Sequence, residues 1–148
     1  NIVILGIHNR GVPIAHRIKN IILKITNIDI PIGSLDITFH RDDFRERLIK
    51  PEIRGTDISF SLDDKVVILV DDVLYSGRTI RAALDEINSF GRPSIVRLAV
   101  LIDRGHRELP IRADFVGKNI PTNSGEHIQV YLNETDEKEG VFIIREDN

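Results

Sequence analysis

An α/β fold with a mostly parallel central sheet flanked by helices follows from three features of the chain. Apolar runs of strand length at residues 2–5, 67–70 and 95–102 are rich in Val, Ile and Leu and largely lack polar alternation. Such runs suit strands buried on both faces. Between them lie stretches with apolar residues at helical spacing. The alternation of the two patterns calls for parallel strands joined by helical crossovers.

Residues 2–5 form the first strand, and the polar loop Gly6-Ile7-His8-Asn9-Arg10-Gly11 follows it. Residues 12–26 form a helix with Ile14, Ile18, Ile21, Ile22 and Ile25 on one face. Leu35, Ile37 and Phe39 alternate with Asp36, Thr38 and His40, the period-two pattern of a half-buried strand. Residues 40–64 carry many charges, Pro51 and Gly55, without sustained periodicity. A connection this long inside a compact domain is usually functional or mobile. The strand at 67–70 runs into Asp71 and Asp72, and then into the small turn Ser76-Gly77-Arg78-Thr79. That turn opens a helix with Ile80, Ala83, Leu84 and Ile87 on its apolar face, and Gly91-Arg92-Pro93 ends it. Asp103-Arg104-Gly105-His106 caps the strand at 95–102; short strands follow at 113–116 and 128–132, with an edge strand at 141–144.

A chain of 148 residues with 41% hydrophobic content makes one domain, residues 1–148, with a real core. Cysteine is absent, which excludes disulfides and thiolate zinc sites. No apolar run reaches the roughly 18 residues of a membrane span, and no signal peptide pattern is present. A cytoplasmic protein without a membrane partner is expected. The net charge is −3, but seven of the 23 acidic residues and only two of the 20 basic ones fall at or after Glu126. The rest of the chain has a slight basic excess, which leaves room for a local basic face. The sequence begins at Asn1 within a strand pattern and without Met, so an N-terminal helical segment is expected to be missing from it.

Ligands of parallel sheets lie beyond the strand C-termini. The loops at 6–11, 71–79 and 103–106 are therefore expected to converge. Carboxylates accept hydrogen bonds from sugar hydroxyls, and the N–H groups and dipole of a helix start favour a phosphate. Asp71 and Asp72, followed by a small-residue helix start, suit a ribose 5-phosphate. The competing reading is a solvated acidic turn with Thr79 as N-cap. Arg10 offers a planar fork of donors for phosphate oxygens. On that loop alone, a helix start with Asn9 as cap and Arg10 in solvent is an equal reading. Arg41, Arg45, Arg47, Lys50 and Arg54 stand among four acidic residues. They make a solvated charged loop by default, or a lid that closes over a diphosphate and excludes water. His106, Arg107, Arg112 and Lys118 form a basic cluster with few aromatics, suited to RNA phosphates. From composition alone, a surface salt-bridged by Glu108 and Asp114 is the favoured reading of that cluster.

The apolar strand, Asp71-Asp72 pair and Ser76-Gly77-Arg78-Thr79 loop resemble the phosphoribosyl diphosphate (PRPP) signature of type I phosphoribosyltransferases. The resemblance implies that fold. It implies that Asp71 and Asp72 bind the ribose hydroxyls and serve catalysis. It also implies that Val73, Leu74, Tyr75, Ser76, Gly77, Arg78 and Thr79 line the 5-phosphate site. By the same resemblance Asn9 and Arg10 hold the diphosphate, and Arg10 neutralises it as it leaves.

A second run, Arg104-Gly105-His106-Arg107-Glu108-Leu109-Pro110-Ile111-Arg112-Ala113-Asp114-Phe115-Val116-Gly117-Lys118, is more specific. With Leu35-Asp36-Ile37-Thr38 and Arg41-Asp42-Asp43, it resembles the PyrR family of bifunctional pyrimidine operon attenuators and uracil phosphoribosyltransferases. The resemblance extends to about Thr122. It implies an RNA-binding transcriptional attenuator, responsive to uridine nucleotides, that converts uracil and PRPP to UMP and diphosphate. Mg²⁺ is then the cofactor, held through diphosphate and ribose oxygens without a direct protein ligand. Arg104 falls near the base pocket, and His106, Arg107, Arg112 and Lys118 bind the leader messenger RNA of pyrimidine operons. A homodimer or homotetramer is implied as well. The family's basic residues on an N-terminal helix have no counterpart in this sequence. The family also has Lys and Thr where this chain has His8 and Asn9. Two alternatives therefore stand: a regulator that senses nucleotide with little catalysis, or a phosphoribosyltransferase for another base with no RNA role.

Overall fold

The computed structural model describes residues 1–40 and 55–146. Five strands form one sheet in the order β2-β1-β3-β4-β5. They are β1 (Ile2–Ile7), β2 (Ile32–Leu35), β3 (Val66–Leu74), β4 (Ile95–Asp103) and β5 (Phe115–Asn119). Every pairing between them is parallel. Helix α1 (Gly11–Thr26) leads from β1 towards β2, and helix α2 (Arg78–Phe90) leads from β3 to β4. The chain thus winds outward in both directions from β1 and β3, the switch point at which such sheets hold ligands. Among the described residues, strands β6 (Glu126–Tyr131) and β7 (Gly140–Arg145) pair only with each other, as an antiparallel ribbon. The expected edge strand at 141–144 is half of that ribbon and does not extend the main sheet.

The apolar runs are explained by two cores, one on each face. Val3, Leu5, Ile7, Val67 and Leu69 join Ile80, Ala83 and Ile87 of α2. Ile4 and Val70 join Ile14 and Ala15 of α1, with Val130 and Leu132 from the ribbon end. Alternate residues of each strand serve opposite cores, so neither parity can be polar. Burial of apolar area at about 25 cal/mol per Å² drives both layers together.

Three expectations change in the structure. Leu35 ends β2, and Thr38–His40 forms one 3₁₀ turn. The alternation at 35–39 therefore does not mark a strand. Leu35 and Ile37 are nevertheless buried, because the Asp36 carboxylate accepts the Thr38 N–H and folds the backbone over the core. Ile21 and Ile25 of α1 are exposed, Ile25 to 77%. A helix of 16 residues rises about 24 Å whereas β1 spans about 20 Å, so the last turn has no sheet beneath it. The connection after residue 54 is better packed than its composition suggests. Leu62 is fully buried, Ile58 and Phe60 pack beside it, and Asp57 bridges Ser34. The basic residues Arg41, Arg45, Arg47, Lys50 and Arg54, read as a lid, lie outside the described residues.

Helix α1 approaches β3 so closely that only glycine fits at its first residue. A Cβ on Gly11 would stand 2.5 Å from the Val70 carbonyl oxygen, and one on Gly6 would stand 2.7 Å from the Gly11 carbonyl oxygen. Neither glycine has positive φ, so close approach and not turn geometry explains them. Gly11→Ala is expected to destabilise the protein by about 1–3 kcal/mol, the usual scale of overpacking against backbone. Thermal denaturation checks this; an unchanged midpoint would contradict the packing.

Candidate active site and basic segment

Strand β3 outruns β1. The last β1–β3 partners are Gly6 and Val70, whereas β3 continues beside β4 as far as Leu74 and Asp103. Residues 71–74 are thus bonded along one edge, and their other edge faces the loop that follows β1. Asp72 has no partner in the β3–β4 register. Local side chains take the N–H groups there: Asp71 Oδ1 accepts from Asp72 N at 2.8 Å, and Asp72 Oδ1 accepts from Val73 N at 2.9 Å. The sequence ended this strand at Val70; pairing with β4 carries it four residues further, through both carboxylates. Asp71 is only 6% exposed, and Asp72 is half-buried. Burial, and then the adjacent Asp72, pushes the Asp71 carboxyl well above the usual carboxylate range. The pair offers one buried carboxyl and one more accessible neighbour.

The turn after β3 ends in a helix start whose N-cap residue, a glycine, has no side chain to cap it. The N-cap of α2 is Gly77, with φ +94°, a backbone state that side chains disfavour. Gly77 is buried, and a Cβ there would stand 3.3–3.4 Å from side-chain atoms of Ile111 and Leu109. Ser76 Oγ accepts the Arg78 N–H at 3.2 Å. Thr79 is exposed within the first turn and is not the cap. Uncapped N–H groups at a helix start are anion ligands in waiting. Leu74 is buried under this turn, Val73 is half-buried, and Tyr75 and Arg78 are exposed.

The loop after β1 also lacks its expected cap. Arg10 is the N-cap residue of α1 and makes no side-chain cap, so Asn9 does not cap it. The His8–Asn9 peptide is cis, and Asn9 is exposed. Nor does Arg10 stand alone in solvent. Its Nη2 and Nε donate to the two Asp136 carboxylate oxygens at 2.9 and 3.3 Å. Asp136, between β6 and β7, also accepts the Leu132 N–H at 2.8 Å and the Thr135 hydroxyl at 3.0 Å. The Arg10 hydrogen bond, then the backbone bond from Leu132, lowers its pKa to about 2. Arg17 of α1 reaches Glu134 and Glu139 of the same connection. The sequence reading missed Asp136; its partner lies 126 residues away, and no local motif marks it.

The segment after β4 folds back against the turn after β3. The Ser76 carbonyl accepts both Glu108 N–H at 2.9 Å and Leu109 N–H at 3.1 Å, and the Leu74 carbonyl accepts Arg104 N–H at 3.1 Å. The Arg104 guanidinium lies 4.0 Å from the Tyr75 ring centroid. It also donates to the Thr122 hydroxyl at 3.1 Å and the Glu126 carbonyl at 2.6 Å. Arg107 is turned inward: Nε meets the Ile111 carbonyl at 2.8 Å, Nη1 the Tyr75 carbonyl at 2.9 Å, and Nη2 the Asp103 carboxylate. Burial raises the Asp103 carboxyl, but the Arg107 and Gly105 hydrogen bonds outweigh it and hold the group below its ordinary value. His106 is exposed, with Nε2 against the Thr122 carbonyl. Arg112 and Lys118 are exposed and form no ion pair among the described residues. The salt-bridge reading of the segment holds only in part. Glu108 pairs with Arg78, Asp114 pairs with Arg97 at 3.6 Å, and neither pairs with the four basic residues named from the sequence. The expected convergence is present between the second and third loops by direct hydrogen bonds. The first joins through the contact of Gly11 with Val70 and Asp71.

No group of three His, Cys, Asp or Glu side chains poised for a metal exists among the described residues. Asp71 and Asp72 are hard oxygen donors of the kind a divalent ion carried on ligand oxygens would sit beside.

Comparison with known proteins agrees with this architecture. The profile of the phosphoribosyl transferase domain matches residues 1–135. The bifunctional protein PyrR of Pelotomaculum thermopropionicum is 54% identical over 144 residues, covering 97% of this chain and 80% of that protein. The bifunctional protein PyrR of Fusobacterium nucleatum is 56% identical over 144 residues, covering 97% and 81%. Among solved structures, the hypoxanthine phosphoribosyltransferase of Trypanosoma cruzi superposes with a TM-score of 0.68 over 99% of this chain and 78% of that one. At 17% identity, that match speaks for the fold alone.

The Arg10–Asp136 pair makes stability depend on pH. In the unfolded chain Asp136 titrates near its ordinary 3.8, and in the folded chain near about 2. Between those values the unfolded state binds more protons, so the pair's contribution is present above 3.8 and is lost as pH falls through about 2. Asp136→Asn is expected to unfold more easily than the parent at pH 5, with the gap closing towards pH 2. Urea melts across that range check it, and a gap that stays constant would contradict the pairing.

Proposed function

The chain belongs to the phosphoribosyl transferase domain family and, within it, to the family of bifunctional PyrR proteins, and from that premise we propose that it is an RNA-binding attenuator of pyrimidine biosynthesis genes that also transfers the phosphoribosyl group of PRPP to uracil. The observation that carries this reading is the glycine N-cap of α2, in a turn that follows a carboxylate pair and is hydrogen-bonded to a basic segment.

In the reaction the bond from the anomeric carbon to diphosphate breaks, and uracil N1 bonds to that carbon as the N1 proton is released to solvent. Positive charge develops on the sugar between the two events. Asp71 and Asp72 orient the ribose hydroxyls and favour that charge. The backbone of Tyr75, Ser76, Gly77, Arg78 and Thr79 holds the 5-phosphate at the start of α2, with Val73 and Leu74 supporting it from below. Arg10 faces the diphosphate, its guanidinium aimed by Asp136. Asn9 stands beside it. Asp71 and Asp72 would hold Mg²⁺ indirectly, through the bound ligand, and the ion would supply neutralisation of the charge on the leaving group. Arg104, with its guanidinium over the Tyr75 ring, borders the uracil pocket. Most of the protein's contribution is positioning, since the bound geometry removes the entropic cost of bringing the reactants together.

RNA contact falls to the basic segment, His106, Arg107, Arg112 and Lys118, of which Arg107 is the one turned inward. UMP in the phosphate loop favours the RNA-binding form, and pyrimidine leader RNA is the target. A homodimer or homotetramer extends the basic face. No helix among the described residues is long and apolar enough to cross a membrane, and we assign the protein to the cytoplasm, where transcripts are made. His8 and Asn9, in place of the Lys and Thr of the family, favour a second reading: a nucleotide sensor with little turnover.

A turnover assay with uracil and PRPP separates the two. UMP formation supports the enzyme; UMP binding without turnover supports the sensor. Asp72→Asn is expected to weaken PRPP binding about tenfold or more, the scale of one lost hydrogen bond to a charged group, with the melting curve intact. Unchanged PRPP affinity in the folded variant would count against the site. Arg112→Gln is expected to weaken leader RNA and to reduce the slope of log affinity against log salt by about 1. Gel shifts over a salt series read it.

A further inference from the structure

The run Leu35-Asp36-Ile37-Thr38, at the end of β2, lies between two loops of the site. On one side the Leu35 carbonyl accepts the His8 N–H at 3.0 Å, which holds the loop that carries Arg10. On the other side the run meets α2. The His40 carbonyl accepts Arg81 Nη2 at 3.0 Å, and His40 Nε2 lies 2.9 Å from Glu86 Oε2. Arg81 belongs to the turn of α2 that begins at Gly77, whose carbonyl accepts its N–H at 3.0 Å. Asp36 organises these contacts. Its Oδ1 accepts the Thr38 N–H at 2.9 Å and the Thr38 hydroxyl, which bends the chain into the 3₁₀ turn at Thr38–His40. Its Oδ2 accepts the Gly55 N–H at 3.0 Å, from 19 residues further along the chain. The Asp36 N–H goes to Thr56 Oγ1 at 3.0 Å, and the Thr56 hydroxyl donates to Glu86 Oε1 at 3.1 Å. Bonds to a carboxylate are strong and directional. Asp36 thus ties residues 36–40 to Gly55 and Thr56, and both pieces are tied to α2.

We propose that Asp36 is a positioning residue for PRPP: it sets the spacing between the diphosphate loop at 8–10 and the phosphate turn at 75–79 while touching neither end of the substrate. The proposal rests on the functional reading above, which places the two charged ends of PRPP on these loops. The loops follow different strands, β1 and β3, whose last partners are Gly6 and Val70. Among the described residues, no ladder bond joins β1 to β3 beyond that pair. On the α1 face, Gly11 seated on the Val70 carbonyl sets their separation. On the α2 face, the path through Leu35, Asp36, His40 and Arg81 is a second tie. A ligand held at both ends gains because its second end binds intramolecularly, and it loses that gain when the two sites are misspaced. A ligand held at one end has no such sensitivity. Asp36 therefore acts on PRPP and leaves UMP or inorganic diphosphate almost untouched, because each of these uses one of the two loops.

The test is calorimetry on the full chain with PRPP, UMP and inorganic diphosphate, each in the presence of Mg²⁺, and it needs no turnover. The variants are Asp36→Ala, Asp36→Asn, Thr38→Val and Thr38→Ser. Asp36→Ala is expected to weaken PRPP about tenfold and to leave UMP and diphosphate within about twofold of the parent. Asp36→Asn keeps one acceptor oxygen but presents N–H groups where the second stood, so its PRPP affinity is expected to fall between those of the parent and Asp36→Ala. Thr38→Val loses the hydroxyl bond to Asp36 and is expected to weaken PRPP selectively as well. Thr38→Ser keeps that bond and is expected to bind PRPP as the parent does. Should Asp36→Ala fail to fold, Asp36→Asn and Thr38→Val decide. Parent-like PRPP affinity in folded Asp36→Ala, or in both of the milder variants, overturns the proposal. An equal loss of all three ligands also overturns it, since that is general loosening of the fold. A parent chain that binds none of the three overturns the site reading and the proposal with it. A parent that binds all three, with variants that keep its ratio of PRPP to UMP affinity, overturns the proposal alone.

Discussion

Strand β3 stays hydrogen-bonded to β4 for four residues after β1 has left it. The site depends on that offset. A strand in mid-sheet has both edges bonded and both faces buried, and leaves nothing for a ligand. Where one neighbour stops, the remaining strand stays rigid along its bonded edge and opens along the other. Asp71 and Asp72 occupy this stretch, and their carboxylates accept the N–H groups of Asp72 and Val73. The close seating of Gly11 on the Val70 carbonyl fixes where β1 gives way to α1. Packing at one glycine thus sets the position of the loop that carries Arg10.

Charge is distributed around this opening with few isolated groups. Arg10 is held by Asp136 and Arg107 by Asp103, each through planar, directional bonds. Half-buried cations would be costly without such partners. The carboxylate partners also orient them: a guanidinium gripped on one edge presents its remaining N–H groups in a fixed direction. Asp71 is the reverse case, a carboxyl whose burial and acidic neighbour favour the neutral form. Perturbed groups of this kind gather where ligands bind. Here they gather at the C-terminal edge of the sheet, as its winding requires.

Much of this was legible along the chain, because the signals were local. The Val67-to-Val70 run, the Asp71-Asp72 pair and the small-residue helix start at Gly77 are consecutive, and their roles follow from strand, loop and helix chemistry. Errors arose where local pattern and tertiary support parted. The alternation at Leu35, Ile37 and Phe39 read as a strand. Leu35 and Ile37 are indeed buried, but Asp36 and Thr38 bend the backbone out of the ladder. Ile25 completes a helical stripe and is exposed, since periodicity does not reveal where the sheet beneath it ends. Thr79 and Asn9 have the chemistry of N-caps and cap nothing.

The residue types alone determined the parallel α/β architecture, the carboxylate pair, the phosphate-compatible turn and the family resemblance. Each is encoded in consecutive residues or in a period along one element. Pairings across the chain were decided only by the folded structure: Asp136 on Arg10, Tyr75 under Arg104, and the Tyr75 and Asp103 acceptors around Arg107. Cations of one linear segment look alike in sequence, and burial divides them. His106, Arg112 and Lys118 face solvent while Arg107 turns inward, because a guanidinium finds its acceptors in space and the chain brings them from separate strands.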